Sequence, residues 1–227
     1  MRGVREQLWR RARVRRSAGD CRQRAHSESL AAVAGDGGLE RREYREAEEH
    51  LRAAIAIEPD YPEAHADLGV ALCAQERFDE GIAHLQRAIA IQPDYAAAHQ
   101  DLGEAYAAQG RLDLAATAFG TALKYRSDDV VLLNRRGWIL ATAKDDWVRN
   151  GREAVTLAER AVRITNRRDV TSLDTLAAAY AEVDRFPEAQ RAGEEALALA
   201  RSSGDQATVR ELGQRLESYR NHRKIRM

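Results

Sequence analysis

Apolar residues in the middle of the chain fall into two alternating helical stripes. Leu68 and Leu72 stand four apart and line one face. After a polar turn, Gln75-Glu76-Arg77, a second stripe runs through Phe78, Ile82, Leu85 and Ile89. Pro93 closes it, because proline cannot continue a helix interior and pushes its predecessor out of the helical region. The spacing therefore predicts one helical hairpin, helix A then helix B, of about 34 residues. The unit then recurs. Ile57-Glu58-Pro59-Asp60-Tyr61 returns as Ile91-Gln92-Pro93-Asp94-Tyr95, and His65, Asp67, Leu68 and Gly69 return as His99, Asp101, Leu102 and Gly103, always 34 positions on.

Small residues accompany the large ones at fixed places: Gly69, Gly81 and Ala88 in one unit, Gly103, Ala115 and Ala122 in the next. A small side chain lets two helix axes approach, and a large one fills the gap beside it. With Leu68, Leu72, Phe78 and Leu85, then Leu102, Tyr106, Leu112 and Phe119, at the large positions, the pattern resembles the tetratricopeptide repeat family of bacterial type. The resemblance implies an all-α fold, a right-handed superhelical solenoid of helix-turn-helix hairpins.

Less regular units flank the good pair. Tyr44, Ala47, Leu51, Ala54 and Pro59 match a helix B, whose helix A is expected near 28–38 but is interrupted by Gly35-Asp36-Gly37-Gly38; this first hairpin reads as degenerate. Leu133, Gly137 and Leu140 read as helix A of a fourth unit. Its helix B, at Ala154, Ala158 and Ala161, falls into register only if about six residues are inserted, near 144–151. A fifth unit carries Leu173, Leu176, Ala177, Tyr180, Phe186, Ala189 and Ala196. Val209, Leu212, Leu216 and Tyr219 then form one apolar stripe opposite Arg210, Glu211, Gln214 and Arg215, as expected of a helix that caps an open solenoid end. The expected organisation is a basic tail over 1–26, about five hairpins over 27–203, a capping helix over 204–221 and a tail over 222–227.

Composition supports helices and removes several classes. Of 227 residues, 42 are alanine and only 4 proline, a balance that favours helix. No run approaches the roughly 18 apolar residues of a membrane span, and no signal-peptide core follows the start, so a cytoplasmic location is expected. Two cysteines, Cys21 and Cys73, cannot build a disulfide framework or a zinc site by themselves. Net charge is zero, yet residues 1–26 hold nine arginines against Glu6 and Asp20. Arginine-rich segments bind phosphate backbones or anionic lipid, and a thin stripe of Val4, Leu8 and Ala12 lies within this one.

Catalytic patterns are missing. With only Lys124, Lys144 and Lys224 there is no phosphate loop, and no nucleophile elbow, His-Glu-x-x-His helix or Cys-x-x-Cys pair occurs. The glycine cluster at 35–38 reads as a loop before helix B. His65 and His99 share one repeat position without a third ligand and read as packing residues; Cys73 reads as a small hydrophobe within helix A. No catalytic, cofactor or metal site is expected, and no enzyme.

The resemblance implies that helix A residues line a concave surface that takes a peptide or a partner helix. Carried over, the candidate partner-binding residues are Asp67, Val70, Asp101, Glu104, Asn134, Arg135, Trp138 and Asp174. The branch of the family that grips a terminal carboxylate uses Lys, Asn and Arg at such places; the acids here point instead to a partner with a basic segment. Trp138 reads either as an interface anchor or as packing between the fourth and fifth units. The expected function is a non-enzymatic protein-interaction scaffold. Two alternatives stay open: a regulatory or targeting fragment of a larger enzyme such as a glycosyltransferase or sulfatase, and association with nucleic acid or membrane through the arginine-rich N-terminus.

Overall fold

A computed structural model of the chain describes residues 37–227, all in helices and short connections. The arginine-rich segment 1–26 lies outside the described residues, as does the helix expected near 28–38 except for Gly37 and Gly38. Those two glycines, expected in a loop, are instead the first residues of a helix. Ten helices are described: α1 (Gly37–Ile57), α2 (Pro62–Ala74), α3 (Phe78–Ile91), α4 (Ala96–Ala108), α5 (Leu112–Tyr125), α6 (Val130–Thr142), α7 (Gly151–Ile164), α8 (Val170–Glu182), α9 (Phe186–Ser203) and α10 (Gln206–Arg220). The described residues fall into two compact units, divided between Gln109 and Gly110.

In the first unit α1 packs on α2, α2 on α3 and α3 on α4. Ala47, Leu51 and Ala54 of α1, spaced three and four apart, meet Ala64, Leu68 and Leu72 of α2, with Ile55 and Tyr61 packed against them. The α2–α3 crossing is set by two glycines. A Cβ on Gly69 would stand 2.6 Å from Leu85 Cγ and 2.8 Å from the Gly81 carbonyl oxygen, closer than real contacts allow. Between α2 and α3 the chain reverses through Glu76, at φ 63°. Buried Glu48 of α1 is held from that turn by Arg77 (2.8 Å) and Gln75 (3.0 Å). Burial pushes its carboxyl up, but the bonds from Arg77 and Gln75 and the charge of Arg52 outweigh it and leave the group below the usual range.

In the second unit α5 packs on α6, α6 on α7 and α8, α7 on α8, α8 on α9, and α9 on α10. Phe119, Leu132, Leu133, Leu173 and Tyr219 are its largest fully buried side chains. Three-residue turns join α2 to α3 and α8 to α9, but α6 and α7 are joined by residues 143–150. This longer loop is folded on itself. Arg149 donates to the Ala143 and Lys144 carbonyls, both at 2.7 Å, the Asn150 amide donates to the Leu140 carbonyl (2.9 Å), and Val148 is buried. Side chains cap four helices here: Asp129, Asn150, Asp169 and Asp205 accept from first-turn amides of α6, α7, α8 and α10. The N-caps of α2, α3 and α4, Tyr61, Arg77 and Tyr95, make no such bond.

Helix α10 lays Leu212, Leu216 and Tyr219 on α9, where Gly193 leaves room for Leu216 and the Tyr219 ring. Alanine does more than favour helix. Of the 46 buried hydrophobic residues described, 25 are alanines, so the close approach of helix pairs is written into the composition.

Candidate functional site

The candidate residues divide between the units. In the first, Asp67 and Val70 stand three apart on α2, and Asp101 and Glu104 take the equivalent places on α4; all four are half-buried. Cys73, one turn after Val70, is buried, and burial together with the Asp101 carboxylate pushes its thiol up to about 11. The thiol is therefore protonated and inert at neutral pH. Asp101 thus stands beside the C-terminal half of α2.

The two repeated histidines fasten loops. His65 Nε2 donates to the Pro59 carbonyl at 3.1 Å and His99 Nε2 to that of Pro93 at 2.9 Å, the same bond one repeat apart. His65 Nδ1 also lies 3.0 Å from His84 Nδ1, so one ring donates to the other and α2 is joined to α3. Burial and then His65 lower the pKa of His84. Among the described residues, no group of three or more His, Cys, Asp and Glu is placed to hold a metal ion.

In the second unit, Val131, Arg135 and Trp138 line one face of α6 at helical spacing. Val131 and Arg135 are exposed and Trp138 is half-buried. Asn134 turns away from them. It is buried and donates to Ser172 Oγ (3.0 Å) and towards Asp169 Oδ2 (3.4 Å), which ties α6 to the capped start of α8.

Asp174 does not stand open on α8. It is buried, and Arg215 of α10 closes on its carboxylate. The same guanidinium lies 4.8 Å over the Trp138 ring and 3.3 Å from Glu211. Burial pushes the Asp174 carboxyl up to about 6, against the opposing pull of Arg215. Arg215, expected on the solvated face of the capping helix, is thus the residue that joins Trp138 to Asp174. Its negative charge being taken up internally, Asp174 adds little to any attraction for a basic ligand.

Two further features carry no repeat signature. Trp147 projects from the 143–150 loop at 72% exposure, beside the buried Val148. Beyond α10, the chain reverses at His222 (φ 52°) and residues 224–227 lie against the C-terminal ends of α8 and α6. No described helix is long and apolar enough to cross a membrane.

Repeating helical hairpins with small residues at the crossings define a class of solenoid whose exposed helix faces meet other proteins. The chain belongs to the tetratricopeptide repeat (TPR) family: models of the TPR repeat match residues 71–110, and of the tetratricopeptide repeat residues 39–86, 100–166 and 170–203. No curated relative matches the sequence. Solved structures share the fold. A TPR protein from Parabacteroides merdae ATCC 43184 superposes with TM-score 0.67 at 15% identity, over 91% of this chain and 75% of that one. MamA from Desulfovibrio magneticus RS-1 gives 0.65 at 15% identity, over 85% and 96%. YrrB, described as a TPR protein with an unusual peptide-binding site, gives 0.62 at 14% identity, over 76% and 84%.

Proposed function

We propose that the chain is a non-enzymatic protein-interaction scaffold that binds an extended peptide or partner segment along its A helices, and that it does so in the cytoplasm. The observation that carries this reading is the line Val131–Arg135–Trp138 on α6. It sets an aliphatic side chain at 53% exposure, a guanidinium and an indole on one helix face. Aromatic and arginine side chains are the residue types that dominate binding energy at interfaces, and the indole is held in place by Arg215. The acids Asp67, Asp101 and Glu104 of the first unit favour a basic segment in the partner; ion pairs formed at the protein surface add only about 0–1 kcal/mol each, so apolar contacts must supply most of the affinity.

The test is a peptide array probed with the full chain, followed by affinities for selected peptides. Val131→Asp, at an exposed site, should weaken binding about ten-fold or more with helicity unchanged, since it places a charge against an apolar contact. Asp101→Lys with Glu104→Lys should reverse any preference for basic peptides. Selected peptides that bind Val131→Asp and wild type equally would refute the assignment of this face.

A further inference from the structure

The segment that follows α10 behaves like a bound peptide. After the turn at His222, whose ring lies 4.8 Å from that of Phe186, the chain runs past the end of α8 towards the end of α6. Lys224 Nζ donates to the Glu182 carbonyl at 2.9 Å and pairs with Asp184 at 3.0 Å. Arg226 pairs with the Glu182 carboxylate at 2.8 Å. The Met227 amide donates to the Thr142 carbonyl at 3.0 Å, and Ile225 between the two basic residues is half-buried. Lys224 and Arg226, two apart, thus reach the same acidic edge together.

The receiving groups come from the ends of α6 and α8 and from the loop between α6 and α7. The last carbonyls of a helix lack intrahelical partners and carry the negative end of its dipole, which suits them to a cation or an amide donor. Arg149, pinned by the Ala143 and Lys144 carbonyls, bonds Glu182 Oε1 at 3.1 Å and so fixes that carboxylate from beneath. Its other oxygen faces Arg226. With the segment in place Glu182 is 13% exposed and the Lys224 and Arg226 side chains each keep 30%, so the basic side chains cover an acid that Arg149 holds from the other side. Contacts so exposed are individually weak and exchangeable. What holds the segment is its tether, which acts as a high local concentration.

We propose that the shelf formed by the Thr142 carbonyl, the Glu182 carbonyl and carboxylate, and Asp184 is a recognition subsite for an extended basic–apolar–basic segment of a partner protein, with Lys224–Met227 as its resident occupant. The proposal rests on the peptide-binding reading above and adds the occupant and its regulation. A partner must displace the segment, so its apparent affinity is reduced by the fraction of time the shelf stands open.

The test uses the full chain and a fluorescent peptide of sequence Asn-His-Arg-Lys-Ile-Arg-Met, followed by anisotropy. Lys224→Glu with Arg226→Glu should expel the resident segment and raise affinity for the free peptide at least ten-fold over wild type. Adding Asp184→Asn, or separately Glu182→Gln, should remove most of that gain, and a peptide with glutamates at its lysine and both arginines should not bind. Equal affinities of wild type and the Lys224/Arg226 variant would overturn the proposal, as would peptide binding untouched by both shelf substitutions. A concentration-dependent dimer of the wild type, lost in the Lys224/Arg226 variant, would assign the shelf to a second copy and overturn the partner assignment. If array-selected peptides depend on Val131 but ignore all four shelf and tail substitutions, the scaffold reading stands and this inference alone falls.

Discussion

Gly69 and Gly213 offer one substitution with opposite consequences. Both lie in helices, α2 and α10, and replacing a helical glycine by alanine gains about 0.8–1 kcal/mol from backbone propensity. At Gly213 nothing lies within 4 Å of the added methyl, so the gain should appear undiminished as a stabilisation of up to about 1 kcal/mol. At Gly69 the methyl would stand 2.8 Å from the Gly81 carbonyl oxygen and 2.6 Å from Leu85 Cγ. Leu85 is fully buried and the carbonyl belongs to a packed helix, so neither can swing aside. The helices must part by several tenths of an ångström, an overpacking cost of about 1–3 kcal/mol. At the upper end of that range the propensity gain leaves Gly69→Ala destabilised by about 2 kcal/mol. Urea unfolding followed by far-UV circular dichroism measures both, the sign being read from the midpoint at constant slope. Gly69→Ala stabilised as Gly213→Ala is would show that crossing distance does not govern this hairpin.

Three more outcomes follow from buried groups and a turn. The carboxyl of Asp174 titrates higher folded, at about 6, than unfolded, so its ionised form is a penalty above that pH. Stability should therefore rise as pH falls from 7 towards 4, by at most about 1.4 kcal/mol per pH unit from this group, and Asp174→Asn should remove that component of the profile. The buried hydroxyl of Tyr219 has no hydrogen-bond partner among the described residues and burial pushes its pKa up; Tyr219→Phe should stabilise by about 1 kcal/mol in thermal unfolding, and a loss would mean the hydroxyl is satisfied. Glu76 is exposed and held at φ 63°, so Glu76→Gly should gain about 0.5–1 kcal/mol, read from the same melts.

What the sequence made legible was whatever the 34-residue period repeats. Leu68, Leu72 and Leu85 are core, Gly69 and Gly81 are crossings, and His65 and His99 keep one role, because each repeat must solve the same packing problem as its neighbour. The 143–150 connection lies where the repeat register slips in the sequence. The Arg149 contacts that fold it did not, since they join a side chain to local carbonyls and to a distant acid without any periodic mark. Candidate residues fared by the same rule. Placement on α2, α4, α6 and α8 came from the period, but Asn134 and Asp174 are turned inward by Ser172 and Arg215. The Arg215 contact spans 41 positions and depends on how α10 settles on α9, which no local pattern encodes. Alanine was legible as helix propensity, while its larger part, as the spacer that sets helix separation, required the packing.

The uneven distribution of capping side chains has a consequence for how the protein breathes. Each cap is worth about 1 kcal/mol to its helix end, and a missing one leaves first-turn amides to water. Opening free energy should therefore be uneven along the chain, lower at the starts of α2, α3 and α4 than at those of α6, α7, α8 and α10. In deuterated water the first-turn amides of α2 and α4 should exchange early, and those behind Asp129, Asp169 and Asp205 late. Under the function proposed above, the faces that carry Asp67 and Asp101 would then sit on helices that fray and re-form, able to adjust to an incoming chain. Val131, Arg135 and Trp138 would sit on a helix that starts already pinned, and would meet a ligand as a fixed template.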